Sequence, residues 1–298
     1  MAHEHSGQAY HFDDIIRTVT KQRKSIRNMK RRGLMKRKTL LILFAVSCAI
    51  LLPGCGGHET EPDQNQEAQQ PAWLEEYYTG NYEYRQSNII GEEGDEEENP
   101  TIEGKRISSP YKEYAKDIQP GGPMVWSEMY SYEEGDKAVN LVKSVEGYWV
   151  RQEVEMGHPY GYGKDLEFTK SGTVDYNNIV CDVYTTEYTE DVAEVMNSFA
   201  GTELITEPVT AVVPQEYYVN PDTNQLVCVI TDVTDKNHKQ SLVVLMANQG
   251  LTLEEASERY SDTERSREKT EILSYDDSMT IEIPEVDILT AEDLMPTE

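Results

Sequence analysis

The sequence predicts an α+β fold: a strongly curved antiparallel β-sheet with one or two covering helices, carried behind a disordered N-terminal tether. Three observations lead there. Short segments that alternate apolar and polar residues recur after residue 121, with turn signals between them. Two stretches switch to a helical period. Only six of the 66 residues from 55 to 120 are Leu, Ile, Val or Phe, against 41 of the 178 that follow, which places the core in the second stretch.

Met124–Tyr132 lies between a Gly-Gly-Pro turn and a Glu-Glu-Gly-Asp turn and reads as a strand. Gly147–Met156 puts Tyr148, Val150, Gln152, Val154 and Met156 on one face and Trp149, Arg151, Glu153 and Glu155 on the other, as a strand with one wet side does. Further strands are expected at Leu166–Thr169, Ile179–Tyr188, Glu216–Val219, Leu226–Val233, Ser241–Ala247, Thr270–Tyr275 and Met279–Ile283, with Asn220-Pro221-Asp222-Thr223-Asn224 as a turn. A helix capped by Thr189 carries Val192, Val195, Met196 and Phe199 on one stripe and stops at Gly201. A shorter helix opens at the capping box Thr252-x-x-Glu255 and runs to about Tyr260. Upstream, residues 73–120 read as a peripheral acidic segment. Its Tyr77, Tyr78, Tyr82 and Tyr84 suggest an edge strand, and 91–100 is an acidic loop that reads as a solvated face more readily than as a Ca²⁺ site.

The N-terminal stretch is a different object. Residues 1–54 hold 11 of the 27 basic side chains and only 3 of the 55 acidic ones, so the remainder is intensely acidic and the chain as a whole carries a net charge of −28. That charge excludes a nucleic-acid binder acting through a basic surface. Met35-Lys36-Arg37-Lys38 followed by the uncharged run Leu40–Leu52 is the pattern of a secretory signal, too short for a comfortable membrane span. Leu52-Pro53-Gly54-Cys55 resembles the lipobox of bacterial lipoproteins. By that resemblance, cleavage falls between Gly54 and Cys55, and Cys55 receives a diacylglycerol thioether and further acylation such as palmitate; an uncleaved anchor is the alternative. Residues 1–34 lack any cap or apolar period, and the expected start is Met35, with a cytoplasmic basic arm as the other reading. The expected organisation is an extension at 1–34, a signal peptide at 35–54, a tether at 55–72, the acidic segment at 73–120, the main domain at 121–290 and a tail at 291–298.

Three segments in order, Gly172…Cys181-Asp182-Val183-Tyr184, Tyr217-Tyr218-Val219-Asn220-Pro221-Asp222-Thr223-Asn224-Gln225-Leu226 and Tyr275…Thr280-Ile281-Glu282-Ile283-Pro284-Glu285, resemble the LolA/LppX-like half-barrel lipoproteins common on Gram-positive cells. The chain departs from them in Asn220, where Asp is usual, and in its acidity. The resemblance spans roughly residues 80–286 and implies a half-open sheet whose concave face can shelter acyl chains.

Chemistry-bearing residues are sparse. Past the signal only His58, His158 and His238 remain, no nucleophile–base pair can be assembled with them, and no glycine-rich phosphate loop or zinc spacing occurs, so no catalytic residue, metal ligand or cofactor is expected. Cys181 and Cys228 are either a disulfide or two buried thiols on neighbouring strands. Trp126, Tyr130, Tyr148, Trp149, Tyr160 and Tyr162 are candidates for an apolar ligand cleft, against the alternative that they are core or cross-strand pairs. The reading that results is a lipid-anchored, extracytoplasmic, non-catalytic protein that binds an apolar or amphipathic ligand; the rival is an interaction or sensor module of an envelope or transporter complex, its sheet filled by its own side chains.

Overall fold

The computed structural model describes residues 71–119, 126–135, 137–155, 166–200, 205–260 and 264–288. In chain order these form α1 (Ala72–Thr79), β1 (Tyr82–Ile90), β2 (Glu97–Ser108), β3 (Tyr111–Asp117), β4 (Trp126–Glu134), β5 (Lys137–Ser144), β6 (Trp149–Glu155), β7 (Thr169–Tyr176), β8 (Ile179–Asp191), α2 (Val192–Ala200), β9 (Thr210–Asn220), β10 (Gln225–Asp232), α3 (Thr234–Gln249), α4 (Leu253–Arg259) and β11 (Ser266–Tyr275). The eleven strands make one sheet in the order β6-β5-β4-β3-β2-β1-β11-β10-β9-β8-β7. Two antiparallel meanders are therefore joined where the first strand, β1, pairs with the last, β11. The sheet is open, and β6 and β7 are its edges.

Residues 73–120 are not peripheral: they supply α1 and β1–β3, and β1 is the sixth strand of eleven. The apolar count misled because this stretch buries tyrosines alongside its few aliphatic residues, with Tyr82, Tyr84 and Tyr111 inside together with Leu74, Ile89, Ile102 and Ile107. Trp73 explains why α1 forms where it does. Pro71 precedes the helix, the Gly80 N–H closes it on the Glu76 carbonyl, and Trp73 and Leu74 are buried. The Trp73 indole lies 5.1–5.4 Å from the rings of Phe168, Tyr184 and Tyr217. Leu226, Val229 and Ile272 belong to the same cluster. Side chains from β8 through β11 thus converge on one helix. On a flat sheet those strands would spread over about 14 Å at the usual spacing of ~4.8 Å, so the sheet curves, and its inner face is the one toward α1.

Gly104 shows how tightly that face is packed. The Tyr84 ring crosses it so closely that a Cβ would sit 2.3 Å from Cζ. The outer face of the same strands carries cross-strand ion pairs, Lys105–Glu83 at 2.6 Å, Arg85–Glu103 at 2.9 Å and Lys143–Glu128 at 3.0 Å. They keep that side wet at β1 and β2 and each contributes little to stability, whereas Val139 and Leu141 of β5, on the same face, are buried.

The chain divides into two compact units. The sheet unit comprises the described residues up to Tyr188, Val212–Val233 and those from Arg265 on. The helical unit comprises Thr189–Ala211 and Thr234–Glu264, with Val192, Val209, Ala211, Leu242, Val243, Met246 and Ala256 in its core. Asp191, not Thr189, caps α2: its carboxylate accepts from the Ala193, Glu194 and Val209 N–H groups. The capping box of α4 forms as expected, with Thr252 and Glu255 bonded reciprocally. Ser241–Ala247, expected as a strand, lies within α3, where Leu242, Val243 and Met246 are buried and Val244 is exposed. A seven-residue apolar run has no period of its own, and here the polar residues before it are part of the same helix. Met279–Ile283 joins no ladder. The segment leaves β11 with the Asp276 N–H on the Asn81 carbonyl, buries Ile281, whose carbonyl accepts from Lys112, and meets the β6 edge in an isolated parallel bridge from Ile288 to Trp149.

Candidate ligand-binding face

Register builds the site. Residues directly opposite one another in an antiparallel pair share a face, and the pairs Tyr275–Tyr82, Tyr82–Arg106, Arg106–Glu113, Glu113–Ser131, Ser131–Asn140 and Asn140–Gln152 form one unbroken row across β11, β1, β2, β3, β4, β5 and β6. Every member is polar or phenolic. The next row on the same face, about 6.7 Å along the strands, is Ile272, Tyr84, Gly104, Ala115, Met129, Val142 and Val150. A polar line therefore crosses the inner face beside an apolar one.

The polar row is deeply placed and knitted together. Arg106 Nη1 donates to the Tyr82 hydroxyl at 3.2 Å, and its guanidinium lies over the Tyr82 and Tyr111 rings. The Tyr84 and Tyr111 hydroxyls each donate to a Glu113 carboxylate oxygen at 2.6 Å. Ser131, 2% exposed, donates to Asn140 Oδ1 at 2.7 Å, and Asn140 is 3% exposed. Burial opposes the charge of Arg106, but the fields of Tyr82 and Glu113 outweigh it, and the guanidinium stays protonated beyond its ordinary range. Burial, reinforced by Glu113, pushes the Tyr84 hydroxyl well above its usual value. Aliphatic side chains would fill such a face at lower desolvation cost than an Arg–Glu pair does.

The aromatic residues singled out in the sequence do not line one cleft. Trp126 is wholly buried on the inner face, whereas Tyr130 and Trp149 lie on the outer face, with ring centroids 5.9 Å apart; the Tyr114 ring meets Tyr130 at 4.9 Å, tilted by 45°, and Lys143 sits 5.4 Å over Trp149. The physical reason is a bulge: between Trp126 and Glu128 the register against β5 shifts by one residue, so Ser127 is unpaired and Trp126 no longer shares a face with Tyr130. Tyr148 stands in the β5–β6 turn, half-buried. Tyr160, Tyr162, Gly54 and Cys55 lie outside the described residues. The sequence missed the row itself, because Arg106, Glu113, Ser131 and Asn140 share no local motif. Only register brings them together.

Cys181 and Cys228 are free, buried thiols. Their strands, β8 and β10, are not neighbours: β9 runs between them, which sets the two backbones about 9.6 Å apart, beyond the ~7 Å reach of a disulfide. Cys228 lies under a second polar cluster, on the outer face. There the Tyr176 hydroxyl donates to Glu271, Asn177 Nδ2 donates to the same carboxylate at 3.3 Å, and Lys269 pairs with Glu98 at 2.6 Å. The β7–β8 tip thus reaches over β9 and β10 to β11. Burial and the surrounding carboxylates push the Cys228 thiol up to about 12, even though the Tyr176 hydroxyl and Lys269 pull the other way. Two carboxylates of the acidic stretch, Glu96 and Glu98, are engaged by Arg267 and Lys269. Among the described residues no three His, Cys, Asp or Glu side chains group as a metal site, and no helix is long and apolar enough to cross a membrane.

No family model matches the chain, and no curated protein matches it. Solved structures do. LprF from Mycobacterium bovis aligns over 71% of this chain and 93% of its own at 10% identity with a TM-score of 0.35. The Mycobacterium tuberculosis lipoprotein LppX aligns over 72% of this chain and 100% of its own at 10% identity and 0.34. A Vibrio parahaemolyticus domain named for outer membrane lipoprotein sorting aligns over 67% and 87% at 9% identity and 0.24. These are proteins of the kind that the sequence resemblance named. At such scores the likeness assigns neither a ligand nor a family, and the half-barrel description rests on the curved, open, eleven-stranded antiparallel sheet itself.

Proposed function

We propose that this chain is a lipoprotein, anchored through acylated Cys55 on the extracytoplasmic face of a bacterial membrane, that binds an amphipathic ligand without catalysis on the inner face of β2–β6. The observation that carries the binding part is the polar row lying beside an apolar row on one buried face. A molecule with a polar head and acyl chains has the same two-part chemistry. The β8–β11 half of that face is taken by α1, with Trp73 and Leu74 in place; on the other half Ala115, Trp126, Met129, Ser131, Asn140 and Val142 are buried without a ligand, so an acyl chain entering there displaces what covers them. The anchor rests on the Leu52-Pro53-Gly54-Cys55 motif behind its apolar run. Two or three chains suffice to hold a protein on a bilayer where one is marginal.

The rival reading draws on α1 itself: a sheet that fills half of its inner face with its own helix is also how an interaction module of an envelope complex would be built. A single experiment separates the two. Residues 55–298 with Cys55→Ser, secreted by a bacterial host, are examined by native mass spectrometry and then extracted with organic solvent. The carrier reading expects a stoichiometric adduct of lipid mass; a clean apo mass that persists after exposure to membrane lipids favours the interaction module. Membrane fractionation of the full chain, lost on Cys55→Ser, tests the anchor independently.

A further inference from the structure

The outer face of β3–β6 has a build of its own. Tyr114, Tyr130 and Trp149 form a line of rings from β3 to β6, with centroids 4.9 Å and 5.9 Å apart and successive planes tilted by 45° and 46°. Cross-strand pairing accounts for Tyr114 against Tyr130. It does not account for Tyr130 against Trp149, because β5 runs between their strands and the two side chains have to lean across it. All three rings are only partly buried, and Leu141, opposite Tyr130 on the same face, is 3% exposed.

Paired charges border the rings. Lys143 lies 5.4 Å over Trp149 and pairs with Glu128 at 3.0 Å. Arg151 is bonded to Glu134 and, at 2.8 Å, to Glu153, which also takes Lys137 at 2.7 Å. These groups both donate and accept, and their charges offset one another on a chain whose net charge is −28. That balance selects the occupant. An anionic polymer or bilayer surface meets cations already held by carboxylates and is repelled by the chain as a whole. Hydrocarbon laid on the same face would desolvate the ion pairs. A neutral sugar ring matches both parts: its C–H face lies on an aromatic ring, and its hydroxyls donate to the carboxylates and accept from Lys143 and Arg151. Such a ligand lies on the sheet and needs no cavity.

We infer that the outer face of β3–β6 binds a linear glycan of uncharged pyranose units, one unit to each of Tyr114, Tyr130 and Trp149. The successive tilt of the rings suits a chain whose units turn relative to one another. This site is on the opposite face of the sheet from the proposed ligand face and does not depend on the carrier reading.

The test titrates residues 55–298 with Cys55→Ser with chitohexaose, cellohexaose and maltohexaose. Of the three tryptophans, Trp73 and Trp126 are 1% and 0% exposed, so a change in indole emission, or in its quenching by acrylamide, reports Trp149. At least one hexaose shifts the emission to the blue and shields it from acrylamide. The matching monosaccharide, which covers a single ring, binds at least tenfold more weakly. Tyr130→Ala and Trp149→Ala each weaken calorimetric binding of that hexaose about tenfold, the worth of one ring contact. No response to any hexaose overturns the inference, as does tighter binding of hexagalacturonate or of phosphatidylglycerol vesicles, which would make the face an anion or membrane contact. The wild-type comparison stands even where a variant disturbs folding, and none of these outcomes bears on the lipid adduct that tests the carrier reading.

Discussion

Trp73→Ala tests the claim that α1 is part of the core. The indole is 1% exposed and touches three other rings at 5.1–5.4 Å. Truncating a buried Trp to Ala costs about 3–5 kcal/mol through lost transfer energy and the cavity left behind, and the ring contacts place Trp73 toward the upper end, at about 4 kcal/mol. Against a total stability of about 5–15 kcal/mol this is a large fraction, and for a chain of this size it lowers Tm by about 10 °C. Trp73→Phe keeps one aromatic plug and loses roughly half as much. Urea unfolding of residues 55–298 followed by far-ultraviolet circular dichroism reads the effect. A Trp73→Ala midpoint within about 0.3 M of the parent, equivalent to about 1 kcal/mol at an m-value near 3 kcal/mol/M, refutes the placement of α1 and returns residues 72–79 to the tether.

Other outcomes follow from the same packing. Gly104→Ala forces the Tyr84 ring away from its place and breaks the Tyr84–Glu113 hydrogen bond, costing about 1–3 kcal/mol as overpacking does; Tyr84→Ala in the same chain relieves most of the added cost, which a double-mutant cycle measures. Native Cys228 resists a thiol reagent, and Tyr176→Phe or Glu271→Gln raises its labelling rate about tenfold by loosening the hairpin tip that covers it. Burial opposes the charge on Glu271, but the Tyr176 hydroxyl, Lys269 and Asn177 outweigh it and hold the carboxyl below its usual range. Its contribution is therefore present above the unfolded carboxylate pKa and is lost as pH falls through the lower, folded one, so Glu271→Gln flattens the acid limb of the stability curve. Tyr82, Tyr84 and Tyr217 have pKa values raised chiefly by burial. Stability that is complete below about pH 10 then falls as pH rises further, and a 295 nm titration shows these phenols ionising only with unfolding.

How much of this the sequence discloses depends on whether the signal is local. The Thr252–Glu255 capping box and the Asn220–Asn224 turn are legible because their hydrogen bonds join residues two to four apart, and both form: Asn220 Oδ1 accepts the Asp222 N–H, and Asn224 takes a positive φ. The strands that alternate cleanly, such as β6 and β10, are found within a few residues. What fails is whatever depends on distant partners. α1 has eight residues and no strong period, and it is fixed by what Trp73 meets on β8 and β9. The bulge at Ser127 reverses the face of Trp126 with no trace in the composition around it. The central place of β1 follows from its pairing with β11, some 180 residues away in the chain.

The central claim is that the inner face of β2–β6 is where a ligand lies, and covalent mapping tests it most directly. A dioleoylglycerol analogue with a diazirine on one acyl chain, loaded into residues 55–298 and irradiated, labels peptides carrying Ile102, Ala115, Met129 and Val142, and the labelling is displaced by unlabelled lipid. Displaceable labelling confined to the outer face of the sheet or to α2–α4 would contradict it.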